Sequence, residues 1–235
     1  MITRGQKVQK VIAFVFARGG SKGVLRKNVR MLVDKPLLYY SIDLAHQLPE
    51  IDDIYVSTED SEIADLALQR GAKVVPRPAE MATDKAEEWQ AWQHAVQYVQ
   101  TKGVGFDVFI SLPTTSPLRS RADIEQCLYA LNDQVDMVVT ASESARNPYF
   151  NMVTVDDVGH CRPVIAGYSI ANRQQAPKTF DLTTLAYVTT PKFILSAGGV
   201  LEGVTKLVEV PRSRALDIDT EYDLKLAEMM IKHDI

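Results

Sequence analysis

Residues 16–28 read Phe-Ala-Arg-Gly-Gly-Ser-Lys-Gly-Val-Leu-Arg-Lys-Asn, which gathers Gly19, Gly20 and Gly23, the cations Arg18, Lys22, Arg26 and Lys27, and the amide of Asn28. Glycines let backbone N–H groups close on phosphate oxygens, and the Arg/Lys set neutralises several negative charges. The spacing contains no Gly-x4-Gly-Lys-Ser/Thr, so it is not a Walker-type loop. It also lacks Gly-x-Gly-x-x-Gly, which disfavours a nicotinamide dehydrogenase. A solvated basic turn is the bland alternative, but this much glycine and charge directly behind an apolar run points to an anion site. Near the other end stands Leu216-Asp-Ile-Asp-Thr-Glu221. In an extended chain Asp217 and Asp219 share one side. Two such carboxylates suit magnesium, a hard cation that takes oxygen ligands and usually bridges to substrate phosphates. Helix capping is the competing role for Asp219, with Thr220 and Asp223 as an alternative capping box. A cap accounts for Asp219 but not for Asp217.

Two further stretches are less specific. Pro113-Thr-Thr-Ser-Pro-Leu-Arg119 offers the hydroxyls of Thr115 and Ser116 on a rigid turn, and Arg77-Pro-Ala-Glu80 brings a guanidinium within reach of a base or phosphate. His46, His94, His160 and His233 form no metal or nucleophile pattern, and no Gly-x-Ser-x-Gly elbow supports hydrolysis. Trp89 and Trp92 stand at helical spacing and read as core.

These residues need a scaffold, and the apolar pattern supplies one. Val11–Ala17 is a continuous run, as for a strand covered on both faces. Helix-period segments at 37–48, 61–70, 84–102, 122–131 and 220–232 alternate with strand-like runs at 54–57, 73–75, 108–112, 137–141 and 206–210. Pro36 opens the first helix and Gly71 closes the second. Such βα alternation predicts an α/β fold with a mostly parallel sheet and right-handed crossovers. In open α/β sheets ligands bind outside the carboxyl ends of the strands, where the 17–28 loop must lie. The pattern breaks after Asn147. Tyr149–Val155 and Leu182–Thr189 alternate like half-exposed strands around a turn at 156–159, which predicts an antiparallel excursion over about 145–190 suited to a dimer arm.

Composition bounds the rest. A chain of 235 residues, 46% hydrophobic and 24% charged, is neither disordered nor a disulfide scaffold, and suits one α/β domain over 1–235. A net charge of -4 leaves no general basic footprint, so neither nucleic acid nor a membrane surface is an expected partner. Cys127 and Cys161 share no metal spacing and read as reduced, semi-buried thiols. The apolar run at 11–17 is far short of the roughly 20 residues that span a bilayer. It ends in Arg18 and two glycines rather than a cleavage site, so no signal peptide is read and a cytoplasmic protein is expected.

Taken together, the motifs resemble the acylneuraminate cytidylyltransferase family, also called CMP-sialic acid synthetases. The resemblance rests on Ala17-Arg-Gly-Gly-Ser-Lys-Gly, Arg26-Lys-Asn28, Val56-Ser-Thr58 with Ile63-Ala64, and Arg77-Pro-Ala-Glu80 with Asp84. It continues through Thr115-Ser-Pro-Leu-Arg119, Arg173-Gln-Gln175 and Asp217-Ile-Asp-Thr-Glu221, in family order over nearly the whole chain. It implies a Rossmann-like, GT-A-like three-layer nucleotidyltransferase fold whose excursion contacts a second subunit in a homodimer. The implied reaction passes CMP from CTP to the anomeric hydroxyl of an acidic nine-carbon sugar, with magnesium, and releases pyrophosphate. Arg18, Ser21, Lys22 and Lys27 would hold the triphosphate, with Asn28 and Arg77 near the cytidine. Asp217 and Asp219 would carry the metal, one of them assisting deprotonation of the sugar hydroxyl, and Arg173 would meet the sugar carboxylate.

Three departures from the family pattern lie on the sugar side. Pro113-Thr-Thr-Ser-Pro117 stands where Gln-Pro-Thr-Ser-Pro is common. Arg173-Gln-Gln is not followed by Arg-Pro-Asn-Gly, and Asn147-Pro-Tyr-Phe150 lacks a nearby lysine. The acceptor is accordingly left open among sialic-acid-like nonulosonic acids. A Kdo-type or other sugar nucleotidyltransferase shares the architecture, and a non-catalytic nucleotide-binding regulator is the alternative from another class.

Overall fold

The computed structural model describes residues 9–83, 86–167, 170 and 172–233. Asp84, placed by the sequence at a helix start, lies outside them. The strands are β1 (Val11–Phe16), β2 (Met31–Leu32), β3 (Lys35–Pro36), β4 (Ile51–Thr58), β5 (Lys73–Pro76), β6 (Val108–Ser111), β7 (Met137–Glu143), β8 (Val153–Val155), β9 (Cys161–Pro163), β10 (Phe180–Thr189) and β11 (Thr205–Glu209). The α-helices are α1 (Leu37–His46), α2 (Ser61–Gln69), α3 (Glu88–Thr101), α4 (Arg121–Ala130), α5 (Pro191–Ser196) and α6 (Glu221–His233).

Seven strands form the main sheet in the order β11-β7-β10-β6-β1-β4-β5. Every neighbouring pair is parallel except those of β10, which runs antiparallel to both β6 and β7. From β1 the chain winds outward to β4 and β5, then crosses back to β6 on the other side. The strand order reverses between β1 and β6, and an open α/β sheet binds its ligand in the crevice at that point.

Alternation along β1 explains the layers. Val11, Ala13 and Val15 pack with Leu38 and Ile42 of α1, Ile63 of α2 and Ile124 of α4. Ile12 and Phe14 face the other way, onto Trp89, Trp92 and Val96 of α3 and Ile194 of α5. Helices therefore cover both faces, giving a three-layer α/β fold. Each fully buried large side chain contributes about 1.5–3 kcal/mol. On the α3 face the aromatic stack adds to this, with Phe14 and Phe109 centred 4.7 Å apart and Trp92 5.3 Å from both Phe109 and Tyr187.

A third, smaller cluster decides where the site forms. Val24 from the glycine loop, Leu32 and Leu37 around the β2–β3 hairpin, Ile218 between the two aspartates, and Leu224 and Ala227 of α6 pack together. Apolar residues planted inside the two polar motifs thus weld one to the other.

The excursion differs from the expectation in extent. Phe180–Thr189 is a central strand of the main sheet, antiparallel as anticipated, while a separate hairpin is made by β8 and β9 alone. The strand expected over 149–155 starts only at Val153. Before it, Asn147 folds the chain into a turn, its side-chain oxygen accepting from Tyr149 N at 3.0 Å and its carbonyl from Phe150, Asn151 and Met152. Cys127 is buried as a core thiol, whereas Cys161 is exposed rather than semi-buried, and both are free.

Val33, at the tip of the β2–β3 hairpin, has φ 58. A β-branched residue in the left-handed region costs about 1–2 kcal/mol, a strain glycine avoids. Val33→Gly relieves that strain but adds unfolded-chain entropy worth about 0.5–1 kcal/mol, so stability should rise by up to about 1 kcal/mol, read as a higher urea midpoint at an unchanged m-value. A midpoint below wild type contradicts a strained tip.

Candidate active site

The basic loop leaves β1 and is tied down from three directions. Gly19 N donates to Glu59 Oε1 at 2.7 Å, and Arg26, itself left-handed at φ 56, pairs with Asp60 and Glu62 at the start of α2. Asp60 also caps α2 by accepting from Ile63 N at 3.0 Å. Asn28 is buried and spans two loops, its amide donating to Arg18 O at 2.8 Å while its oxygen accepts from Thr114 Oγ1 at 2.5 Å. The third tie runs to the acidic motif. Lys27 Nζ donates to Ile218 O at 2.6 Å and lies 3.3 Å from Asp219 Oδ1. Gly23 approaches so closely that a Cβ there would collide with the Asp219 carbonyl.

The acidic motif is held from the opposite side as well. Ile218 N donates to Thr115 O at 2.9 Å, which hooks it onto the loop after β6. The capping question resolves in favour of Thr220. Its Oγ1 accepts from Asp223 N at 3.3 Å, and Asp223 Oδ2 accepts from Thr220 N at 2.8 Å. Thr220 Oγ1 also donates to Asp223 Oδ2 at 2.7 Å, and that bond, with the backbone one, holds the Asp223 carboxyl below its usual range; this reciprocal box releases Asp219 from capping duty. Asp219 is 73% exposed beside Lys27. Asp217 lies deeper, and its Oδ1 is buried with no hydrogen-bond partner among the described residues.

The loop after β6 owes its shape to Arg119. This guanidinium is fully enclosed and donates to Ser116 O at 2.7 Å, Leu185 O at 2.9 Å, Ser41 Oγ at 3.2 Å and the Pro113 carbonyl. Burial pushes it below its ordinary range while the charges of Asp123 and Asp217 push back. With each of its three nitrogens donating to an acceptor it stays protonated. A register shift in β10 between Thr183 and Tyr187 turns Thr184 toward this loop, where its hydroxyl meets Ser116 Oγ at 2.8 Å and Thr115 Oγ1 at 3.3 Å. Thr140 fills the irregularity by bonding Thr183 Oγ1 at 2.7 Å and Ala186 N at 3.2 Å. Bulges beside functional sites re-aim side chains in this way.

Arg18, Ser21, Lys22, Lys27, Asn28, Thr115, Asp217 and Asp219 are thus all carried by loops at the carboxyl ends of β1, β6 and β11. Ser116 is buried and committed to Thr184. Arg77 stands at the carboxyl end of β5, buried, donating to Ser57 Oγ at 3.1 Å and Ser57 O at 2.8 Å, with its guanidinium 5.6 Å from the Phe16 ring centre. Burial lowers its pKa, Arg18 adds to that, and Glu59 and Glu88 oppose it. Arg173 is not part of the cluster. It is exposed in a short 3-10 turn, donates to Ser144 O at 2.9 Å, and lines a depression of about 410 Å³ at the end of β7 with Glu143, Asn147 and Lys178.

Sequence reading passed over several participants. Asp60 carried a signal, as an N-cap residue ahead of a helical period. Glu59, which anchors Gly19, and Thr184, which depends on a bulge, carried none. Glu88 opens α3 and accepts from Trp92 Nε1 at 3.2 Å. Crowding by the surrounding protein raises its pKa, Asp217 adds to this, and the Trp92 bond and Arg77 oppose it. Its side chain keeps access to solvent, which moderates the effect.

Residues 12–158 match the cytidylyltransferase family model. The chain belongs to the cytidylyltransferase family. It is similar along 96% of its length, at 33% identity, to the post-translational flagellin modification protein B of Campylobacter coli, and covers 96% of that protein. The CMP-N,N'-diacetyllegionaminic acid synthase of Campylobacter jejuni is 31% identical over 94% of this chain and 95% of its own. An N-acylneuraminate cytidylyltransferase of Escherichia coli is 29% identical over 93% of this chain, which spans 51% of that longer protein. Among solved structures, a CMP:2-keto-3-deoxy-manno-octonic acid synthetase complexed with CTP superposes with a TM-score of 0.72 at 16% identity, covering 96% of this chain and all of that one. The 4-diphosphocytidyl-2C-methyl-D-erythritol synthase of Anaerococcus prevotii gives 0.67 at 14% identity, covering 96% of this chain and 97% of its own. At those identities the two structures speak to the fold, a Rossmann-like nucleotidyltransferase.

Proposed function

We propose that this cytidylyltransferase passes CMP from CTP to the anomeric hydroxyl of a sialic-acid-like nonulosonic acid. The observation that carries the reading is the junction at Gly23, Lys27, Ile218 and Asp219, which joins a basic glycine loop to a carboxylate pair at the strand-order reversal. The names of the relatives point the acceptor toward legionaminate or neuraminate chemistry. In the reaction the anomeric hydroxyl gives its proton to a carboxylate of the Asp217 and Asp219 pair as its oxygen bonds to the α-phosphorus, the bond from that phosphorus to the α–β bridging oxygen breaks, and pyrophosphate leaves with the electron pair. Negative charge grows on the leaving group. Arg18 and Lys27 face that charge with little rearrangement, since Lys27 is already fixed by Ile218 O. Ser21 and Lys22 extend the same triphosphate cradle. Asn28, Arg77 and Thr115 lie toward the nucleoside. In the depression at the end of β7, where Lys178 is paired with Glu143 at 3.5 Å, Arg173 is the group offered to the carboxylate of an acidic sugar.

The acidic pair also fits magnesium. Among the described residues no group of three or more His, Cys, Asp or Glu side chains could hold an ion by itself. Magnesium needs only one or two protein carboxylates when phosphates complete its shell, and the partnerless Asp217 Oδ1 has a lone pair waiting for such a ligand. Held by Asp217 and Asp219, the ion would neutralise the triphosphate as the bond to pyrophosphate breaks. No helix among the described residues is long and apolar enough to cross a membrane, and the chemistry belongs in the cytoplasm, where CTP is available.

Pyrophosphate release with CTP and magnesium, measured across a panel of nonulosonic acids and Kdo, tests the reading. Release that depends on one or two nonulosonic acids is expected. Release with Kdo alone moves the acceptor to that class, and tight CTP binding without release under any sugar favours the non-catalytic regulator.

A homodimer belongs to the same proposal. The β8–β9 hairpin is too small to be stable alone, yet it and its flanks expose Met152, Val153, Val155, Val158 and Val164. A second copy of this chain is the proposed cover. The double substitution Val153→Asp/Val155→Asp should lower the mass measured by light scattering toward that of a monomer, and an unaltered dimer mass contradicts this interface.

A further inference from the structure

We propose that Glu88 binds the ribose of the nucleotide and makes the enzyme select CTP over 2′-deoxyCTP, an inference that rests on the CTP reading above. The placement follows from α3. Trp92 is buried over the carboxyl half of the sheet, its ring 6.1 Å from Phe16 at the end of β1 and 5.3 Å from Phe109 and from Tyr187. Glu88 stands one helical turn toward the N-terminus of α3, beyond the strand ends, over the reversal between β1 and β6. Tyr187 senses the charges of both Glu88 and Asp217, and together with burial they push its hydroxyl up to about 12. Glu88 and Asp217 thus both lie near enough to Tyr187 to act on its hydroxyl, and Arg77 and Asp217 near enough to act on Glu88.

A carboxylate in that position opposes a triphosphate and a second carboxylate. Both Glu87 and Glu88 are exposed acids at the start of α3, and either one alone would serve the helix dipole. Trp92 Nε1 fixes one oxygen of Glu88 at 3.2 Å. The other oxygen has no hydrogen-bond partner among the described residues and is open to solvent. Within a nucleoside triphosphate the neutral donors that match a fixed carboxylate oxygen are the ribose hydroxyls, and acidic side chains bind ribose 2′-OH groups in other open α/β sheets for the same reason. A hydrogen bond to a charged acceptor separates nucleotides that have the hydroxyl from those that lack it by about tenfold or more.

Equilibrium binding of CTP and 2′-deoxyCTP, with magnesium present, tests this without any acceptor sugar. Wild type should prefer CTP by about tenfold or more, and Glu88→Ala should bind both nucleotides alike. Glu88→Gln keeps the side-chain shape and an oxygen for Trp92 but presents an amide to the ribose, so its preference should also fall while its Tm stays near that of wild type. Equal affinities in wild type, or a preference retained in Glu88→Ala, would overturn the proposal. So would an equal loss for both nucleotides accompanied by a shifted magnesium dependence, which would make Glu88 a metal ligand. The outcomes separate from the wider reading: ribose discrimination without turnover on any acidic sugar sinks the acceptor assignment and leaves Glu88 in place.

Discussion

Asp217→Asn should lower kcat by about 100-fold or more and leave the fold at least as stable as wild type. The two halves of that expectation come from one observation. Asp217 Oδ1 is buried and has no hydrogen-bond partner among the described residues, so the folded protein bears an uncompensated polar atom. Such an atom costs about 1–3 kcal/mol, and replacing the carboxylate by an amide removes charge without removing volume. If that oxygen exists for magnesium, its loss removes several kcal/mol of transition-state stabilisation, and each 1.36 kcal/mol is a factor of ten in rate. Paired measurements of kcat at limiting magnesium and of Tm decide the matter. Activity like that of wild type refutes the metal assignment, and a large drop in Tm would show that Asp217 is a structural residue.

Gly23→Ala should damage catalysis as severely by a different route. The added Cβ has no room because the Asp219 carbonyl stands where it would go, and backbone on both sides must shift. Any shift there moves Lys27 and Asp219 relative to each other, since Lys27 is bonded to Ile218 O and paired with Asp219. Displacements on the order of 1 Å within a reacting constellation can cost about 100-fold. The loss should appear in kcat/KM for CTP while urea unfolding changes by only a few kcal/mol, because Gly23 itself is exposed. A variant with full activity would mean that the loop and the acidic motif act independently.

The parts of this architecture that were legible in the sequence are those whose cause is local. Val11–Phe16 is buried on both faces and so carries an unbroken apolar run. Trp89, Trp92, Val96 and Val99 recur at helical spacing because they share one buried face of α3. What escaped has a distant or compensated cause. Asp52 and Asp53 mask the first half of β4, although Asp52 accepts from Val11 N at 2.8 Å and Asp53 pairs with Lys73. The six-residue α5 is too short to show a period. That Phe180–Thr189 inserts between β6 and β7 depends on pairing with strands far away in the chain. The site divides in the same way. Residue type and spacing marked the glycine loop and the aspartate pair, but nothing local shows that Lys27 meets Asp219, 192 positions later. Arg119 looked like part of a ligand loop, whereas it donates four hydrogen bonds that tie that loop to α1 and β10.

Tracing the phosphorus atoms of CTP tests the central claim most directly. With magnesium and an acidic nine-carbon sugar, CTP labelled at the α-phosphorus should transfer the label to a CMP–sugar conjugate, and CTP labelled at the γ-phosphorus should yield labelled pyrophosphate. Label recovered as free CMP without a sugar conjugate, or as inorganic phosphate with CDP, would contradict a cytidylyl transfer to the anomeric hydroxyl.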